Sequence, residues 1–180
     1  MIFVLVVAGR SIKSVAENKD MRILVFLHGT IIMHRDAADK TREERVQQSF
    51  RRERSIFDYE SYIPVGNSVE KLSEWQRQGA DIIYLSSHKS EVDVERDKAV
   101  LKKYNFPEGE VLFRTGGELY KDIIEKIIPD VLIEDDCESI GGEKEMAITL
   151  VRPEIKQGIR SIVVKEFQGI DHLPDNVNLL

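Results

Sequence analysis

Four short polar clusters carry residue types able to do chemistry, and each directly follows an apolar run. His28, Gly29 and Thr30 follow Ile23 to Phe26; Ser86, Ser87, His88 and Lys89 follow Ile82 to Leu85. Arg114 to Gly117 follow Val111 to Phe113, and Glu134, Asp135 and Asp136 follow Val131 to Ile133. Three consecutive acids repel one another unless a cation or hydrogen-bond donors offset them, so this cluster reads as a metal or donor site, the alternative being a solvated acidic turn. His28 can act as general acid or base near neutral pH, or ligate a metal. With the acids brought near, the set suits Mn²⁺, Fe²⁺ or Zn²⁺ at least as well as Mg²⁺. Ser86 and Ser87 can bind an anion or cap a helix, and the two roles coexist because helix N-termini attract anions. Gly116-Gly117 either opens amides toward a phosphate or is an ordinary turn. His34, His88 and His172 read as surface residues. Cys137 reads as a small packed side chain whose thiol the neighbouring acids keep protonated.

The elements that must position these clusters follow from periodicity. The apolar run Ile23 to Phe26 suits a strand buried on both faces, Val131 to Ile133 a fully apolar strand, Ile82 to Leu85 a strand, Val111 to Phe113 a short strand, and Ser161 to Val164 a last one. Between them, a helix from Asn67 or Ser68 carries Val69, Leu72 and Trp75 on one face and stops at Gly79. Ser90 with Asp93 resembles a capping box for a helix bearing Val94, Leu101 and Tyr104, ended by Pro107. A further helix opens at Gly116-Gly117, carries Leu119, Ile123, Ile124 and Ile127, and is stopped by Pro129. Strand and helix in alternation predict a Rossmann-like α/β fold, a parallel sheet with helices on both faces and a site at the carboxyl ends of the strands. All four clusters sit at such ends.

Residues 31–63 interrupt this rhythm with a polar stretch holding seven basic residues (Arg35, Lys40, Arg42, Arg45, Arg51, Arg52, Arg54) against seven acids. Thr41 and Glu44 form a capping box, predicting a helix from about Arg42 to Arg54 with a thin apolar face of Val46 and Phe50. Such a helix lies across the crevice. It is either a salt-bridged solvated helix or a lid bringing Arg side chains to an anionic ligand.

Composition narrows the classes. At 180 residues the chain is one domain with room for a small insertion, able to bury roughly 70% of its unfolded surface. A formal net charge of -6 disfavours a mainly electrostatic nucleic-acid binder. The single cysteine excludes an internal disulfide and fits a reducing, cytoplasmic setting. Ile2 to Ala8 is an apolar run far short of the ~20 residues of a spanning helix, and it lacks the preceding positive charge of an export signal. Residues 1–20 are therefore expected to be an extra strand or an extension upstream of a start at Met21, with a core over 21–180.

From Met21 to about Gly142 the chain resembles the haloacid dehalogenase-like (HAD-like) hydrolase superfamily, with a short cap inserted after the first motif. Arg22 to Ile32, RILVFLHGTII, is similar to the family's first strand and turn, which end in Asp-x-Asp-Gly-Thr; here the two Asp positions hold Phe26 and His28. The resemblance implies phosphate binding by Gly29, Thr30, Ser86 or Ser87, with Lys121 as the lysine that offsets charge. It also implies Asp135 and Asp136, beside Glu134, as the Mg²⁺-binding pair. In the family the first Asp attacks phosphorus and the second protonates the leaving group. Phe26 can do neither job, and His28 supplies only acid–base or ligand chemistry. The expectation is a degenerate phosphatase site binding a small phosphorylated molecule or a divalent cation, Mg²⁺ or Mn²⁺, without aspartyl-phosphate chemistry. Two alternatives stay open: a metal-dependent phosphohydrolase in which His28 and Asp135/Asp136 activate water, and a partner-binding protein that uses the cap helix.

Overall fold

The computed structural model describes residues 21–180, so the expectations for residues 1–20 lie outside the described residues. Five parallel strands form the central sheet: β1 (Arg22–Phe26), β4 (Asp81–Leu85), β5 (Glu110–Leu112), β6 (Val131–Asp135) and β7 (Arg160–Val164). Their order is β5-β4-β1-β6-β7, with β1 central. The crossovers contain α2 (Ser68–Arg77) before β4, α3 (Glu91–Lys103) before β5 and α4 (Tyr120–Ile127) before β6. Short α5 (Ala147–Leu150) and α6 (Pro153–Lys156) precede β7. This is the α/β architecture that the alternation of apolar runs and helical periods predicts. Among the described residues, no helix is long and apolar enough to cross a membrane.

The period-two geometry of β1 divides the core into two layers. Ile23, Val25 and Leu27 pack with Leu72 and Trp75 of α2 and Val100 and Leu101 of α3. Leu24, with Phe26 at its margin, packs with Ile123 and Ile124 of α4 and Ala147 and Ile148 of α5. The C-terminal tail closes the first layer, where Ile170, Val177 and Leu180 are buried and the Trp75 indole N–H donates to the Pro174 carbonyl at 2.9 Å.

The segment assigned to a cap is bracketed by a two-stranded antiparallel ladder, β2 (Ile32–Met33) with β3 (Ile63–Pro64). Between them run α1 (Arg42–Phe50) and 3₁₀ turns at Arg35–Ala37, Arg54–Phe57 and Tyr59–Ser61. The Thr41–Glu44 capping box is present. The helix ends four residues earlier than the sequence pattern predicts: Arg52 takes φ 52° and the Glu53 amide returns to the Gln48 carbonyl at 3.1 Å. Phe50, read as part of the apolar face, is 69% exposed, and Gln48 is buried beside Val46 in its place. Two other expected helix starts differ. Ser90 makes no side-chain cap, and the Asp93 carboxylate, which would complete the box by accepting from the Ser90 amide, accepts instead from Arg96 at 2.8 Å. α4 begins at Tyr120 rather than at Gly116-Gly117, which form an exposed turn whose residue Thr115 is bonded by Glu118.

Candidate functional site

The carboxyl ends of β1, β4 and β6 open, together with the 49–62 segment, onto a cavity of about 430 Å³. Phe26, Phe57, Tyr59, Tyr62, Tyr120 and Phe167 line it together with His28, Ser87, Asp135 and Glu166. Phe26 is the last residue of β1 and alternates toward α4, where its ring meets Tyr120 edge-on at 5.0 Å. An apolar ring pair thus stands at the place the family resemblance gives to a nucleophilic carboxylate.

Two titratable clusters flank the cavity. In the first, Asp135, Asp136 and Glu166 present carboxylate oxygens within 4.8 Å of one another. Asp135 accepts from the Thr30 hydroxyl at 2.8 Å and the Cys137 amide at 2.9 Å. Burial nevertheless keeps its carboxyl above the usual range, since the two donors offset the lost hydration only in part. Glu166 accepts from the Ser139 amide and hydroxyl, both at 2.7 Å, and burial pushes it to about 7. In Asp136, burial is outweighed by the Glu166 amide and by Lys165, whose Nζ lies 3.0 Å away, so its carboxyl stays below the usual value. Arg42 of α1 lies 3.7 Å from the same carboxylate.

The backbone is tightly drawn at this point. Gly29 has φ +80°, and a Cβ there would stand 2.9 Å from Asp135 Oδ2. Cys137 and Phe167, which directly follow Asp136 beyond β6 and Glu166 beyond β7, both take positive φ, 51° and 62°. Non-glycine residues in that region are strained and gather where surrounding structure holds them for function.

In the second cluster, His28, His88 and Asp97 bring their ligating atoms within 4.8 Å. Asp97, in the middle of α3, is 1% exposed and receives His28 Nε2 at 3.0 Å and the Ser86 hydroxyl at 2.6 Å. Burial alone would raise its pKa, but these two partners outweigh it and hold the carboxyl below its ordinary value. The other ring nitrogen, His28 Nδ1, faces the Ser87 hydroxyl at 2.8 Å. His88 packs edge-on against His28 at 4.6 Å between centroids, and its Nε2 stands 3.6 Å from Asp97. Burial, then the neighbouring His28, lowers the His88 pKa.

The residues singled out in the sequence are thus partly regrouped. His28 does not join the acids of β6; it pairs with Asp97, which places it in the other cluster. Glu134 is turned away from the acid trio, its oxygens accepting the Ala147 and Ile148 amides at 2.7 and 3.0 Å at the start of α5. Thr30 and Ser86 are fully buried and committed to Asp135 and Asp97, whereas Ser87 is exposed at the cavity. Lys121 is not among the cavity-lining residues; its Nζ lies 3.9 Å from Asp122. The basic residue at that strand end is Arg114, which stacks 3.8 Å over Tyr120 and donates to the Ser87 carbonyl at 3.0 Å. Of the arginines in the 31–63 segment, Arg52 lines the cavity, while Arg45 is spent on the carbonyls of Ala37, Ala38 and Phe167. His34 and His88 are not surface residues: His34 is 1% exposed and hydrogen-bonded to Gln48 at 3.2 Å, and His88 lines the cavity. Burial lowers the His34 pKa. His172 is exposed. Cys137 is half-buried, and burial, more than the acids, raises its thiol.

Two residues of these clusters escaped the sequence pattern. Asp97 shares the helical face of Val94 and Leu101, three before and four after, and an acid on an apolar stripe was a readable signal. Glu166 stands just beyond the last strand, at the same end as the other clusters.

No protein-family model matches the sequence, and no curated protein matches it either. Solved structures do. The class C acid phosphatase of Bacillus anthracis with tungstate bound is similar over 85% of this chain and 70% of its own, at 13% identity and a TM-score of 0.54. A chain of the Pnkp1/Rnl/Hen1 complex is similar over 83% of this chain and 48% of its own, at 14% identity and a TM-score of 0.54. A chain of the Pnkp1/Rnl/Hen1 RNA repair complex matches at 15% identity, with 44% of its length covered and the same TM-score of 0.54. This protein therefore spans about half the length of the latter two chains. It shares with all three an α/β fold.

Proposed function

We propose that this protein is a divergent member of the haloacid dehalogenase-like superfamily whose cavity binds a small phosphorylated molecule through a divalent cation, Mg²⁺ or Mn²⁺, without aspartyl-phosphate chemistry. The convergence of Asp135, Asp136 and Glu166 at the ends of β6 and β7 carries this reading. The donor set is all hard oxygen, which suits Mg²⁺ or Mn²⁺. The raised pKa values of Asp135 and Glu166 show buried carboxyls short of compensating charge, which a divalent cation supplies. Lys165 offers that charge to Asp136 alone, from a side chain 63% exposed, and is displaceable. A phosphoryl group alone would be repelled by these acids, so the cation serves to offset charge between carboxylate and phosphate. Tungstate, a tetrahedral oxyanion, bound to the similar class C acid phosphatase is consistent with an oxyanion ligand. Phe26, in contact with Tyr120, offers no oxygen with which to form an acyl-phosphate.

Calorimetric titration of chelator-treated protein with MnCl₂ tests the reading. Saturable binding is expected, weakened at least about tenfold in Asp135→Asn and in Glu166→Gln and unchanged in Ser87→Ala. Absence of Mn²⁺ and Mg²⁺ binding, or binding by the two acid variants as tight as the parent's, would reject it.

A further inference from the structure

We propose that Ser87 is a nucleophile toward tetrahedral phosphorus, with His28 as its general base and Asp97 as the residue that positions His28. This rests on the phosphoryl-ligand reading for its natural substrate, but not for the reactivity of the serine. Three contacts in series make the array: Asp97 Oδ1 to His28 Nε2 at 3.0 Å, His28 Nδ1 to Ser87 Oγ at 2.8 Å, and Ser86 Oγ to the second Asp97 oxygen at 2.6 Å. The buried carboxylate can only accept, so Nε2 carries the proton and Nδ1 presents its lone pair to the Ser87 hydroxyl. That is the tautomer a general base needs. The Asp97 carboxylate then stabilises the imidazolium formed when the proton moves. His28 is held from both ring nitrogens, which leaves no lone pair for a metal unless the Ser87 contact breaks.

The placement fits the chemistry. Ser87 is exposed at the cavity, while its base and that base's carboxylate lie progressively deeper. Arg114, bonded to the Ser87 carbonyl, fixes the backbone that carries the hydroxyl. The serine thereby supplies the nucleophilic oxygen that Phe26 lacks, from the neighbouring strand end. In the step, Ser87 Oγ forms a bond to phosphorus as the bond from phosphorus to the leaving group breaks. The hydroxyl proton passes to His28 Nδ1 and then to the departing oxygen, leaving a phosphoserine and an alcohol. Water, deprotonated by the same nitrogen, cleaves the phosphoserine to phosphate and free serine.

A fluorophosphonate probe reports this reactivity without metal or natural substrate, because Ser87 Oγ displaces fluoride from phosphorus in the same manner. Intact-mass and peptide mass spectrometry should find one adduct on Ser87. Ser90, exposed in the same loop, should stay unmodified. Labelling should vanish in Ser87→Ala and slow about 100-fold or more in His28→Ala, with circular dichroism confirming that the variant is folded. Asp97→Asn should slow labelling and move the acidic limb of its pH profile to lower pH, which a merely structural role would not do. No adduct on Ser87, equal labelling of Ser90, or an undiminished rate in folded His28→Ala overturns the proposal. Asp135→Asn separates the two readings: it should lose Mn²⁺ and keep the adduct, so failure of the cation site leaves the serine chemistry standing on its own result.

Discussion

At the residue scale, the side chains at the positions singled out by the family resemblance are engaged with other partners. Phe26 is absorbed into the apolar layer beside Tyr120, and His28 is committed to Asp97. Ser86 spends its hydroxyl on that same Asp97, and Lys121 stands outside the cavity. On the proposed kinship, placing carboxylates at both positions in Phe26→Asp, His28→Asp puts acids into a site without Lys121. No gain in p-nitrophenyl phosphate hydrolysis with Mg²⁺ is expected; a clear gain would show that Lys121 can swing into the cavity. Gly29 is fixed by a different constraint. With φ +80° and only 2.9 Å between a Cβ and Asp135 Oδ2, Gly29→Ala should cost roughly 1–3 kcal/mol, read as a lower midpoint in urea unfolding. It should also weaken Mn²⁺ binding, because the atom that must give way is a carboxylate oxygen.

At the element scale, the sheet was legible and the insertion only in part: its helix and the Thr41–Glu44 cap were readable, its end and its packing were not. The runs around Ile23, Ile82 and Val131 are buried on both faces, the one around Val111 is a half-buried edge strand, and all are bounded by turn residues, so apolar continuity located the strands to within a residue or two. The same logic placed the polar clusters together, because parallel strands deliver every cluster to one end of the sheet. It could not sort the clusters, since the pairing of His28 with Asp97 depends on how α3 packs over β4, a relation between residues 69 apart. α1 starts where the pattern places it, but the pattern misses its packing because its hold is polar. The Arg45 guanidinium bonds the carbonyls of Ala37, Ala38 and Phe167, tying the helix to the strained turn after Glu166. Arg45→Ala should loosen α1 by roughly 1–2 kcal/mol once solvent screening is allowed for, seen as faster amide exchange in 42–50 with β1 and β6 unaffected. Uniform acceleration across the sheet would show that Arg45 supports the whole core.

At the scale of the whole molecule, the fold buries more carboxylate than its donors can satisfy, and that leaves a pH signature. Glu134 ties β6 to α5 through two amide bonds, yet burial raises it from 4.5 to about 7. Between those values the unfolded chain has released the proton that the folded chain retains, so this group makes stability fall as pH rises, and its effect levels off above about 7. The lowered His34 and His88 act oppositely below 6.5, where the unfolded chain takes up protons that the folded one refuses. The parent's own pH–stability curve therefore mixes opposing slopes, and the informative quantity is a difference between variants. Glu134→Gln keeps an oxygen for the α5 amides and cannot ionise. In chelator-treated samples its stability relative to the parent should be least near pH 4.5, grow steadily toward pH 7 and stay constant above it. A relative stability that is flat across that window, measured by urea unfolding at several pH values, would mean that Glu134 ionises normally. The strain of the acidic end of the sheet would then rest on Asp135 and Glu166 alone.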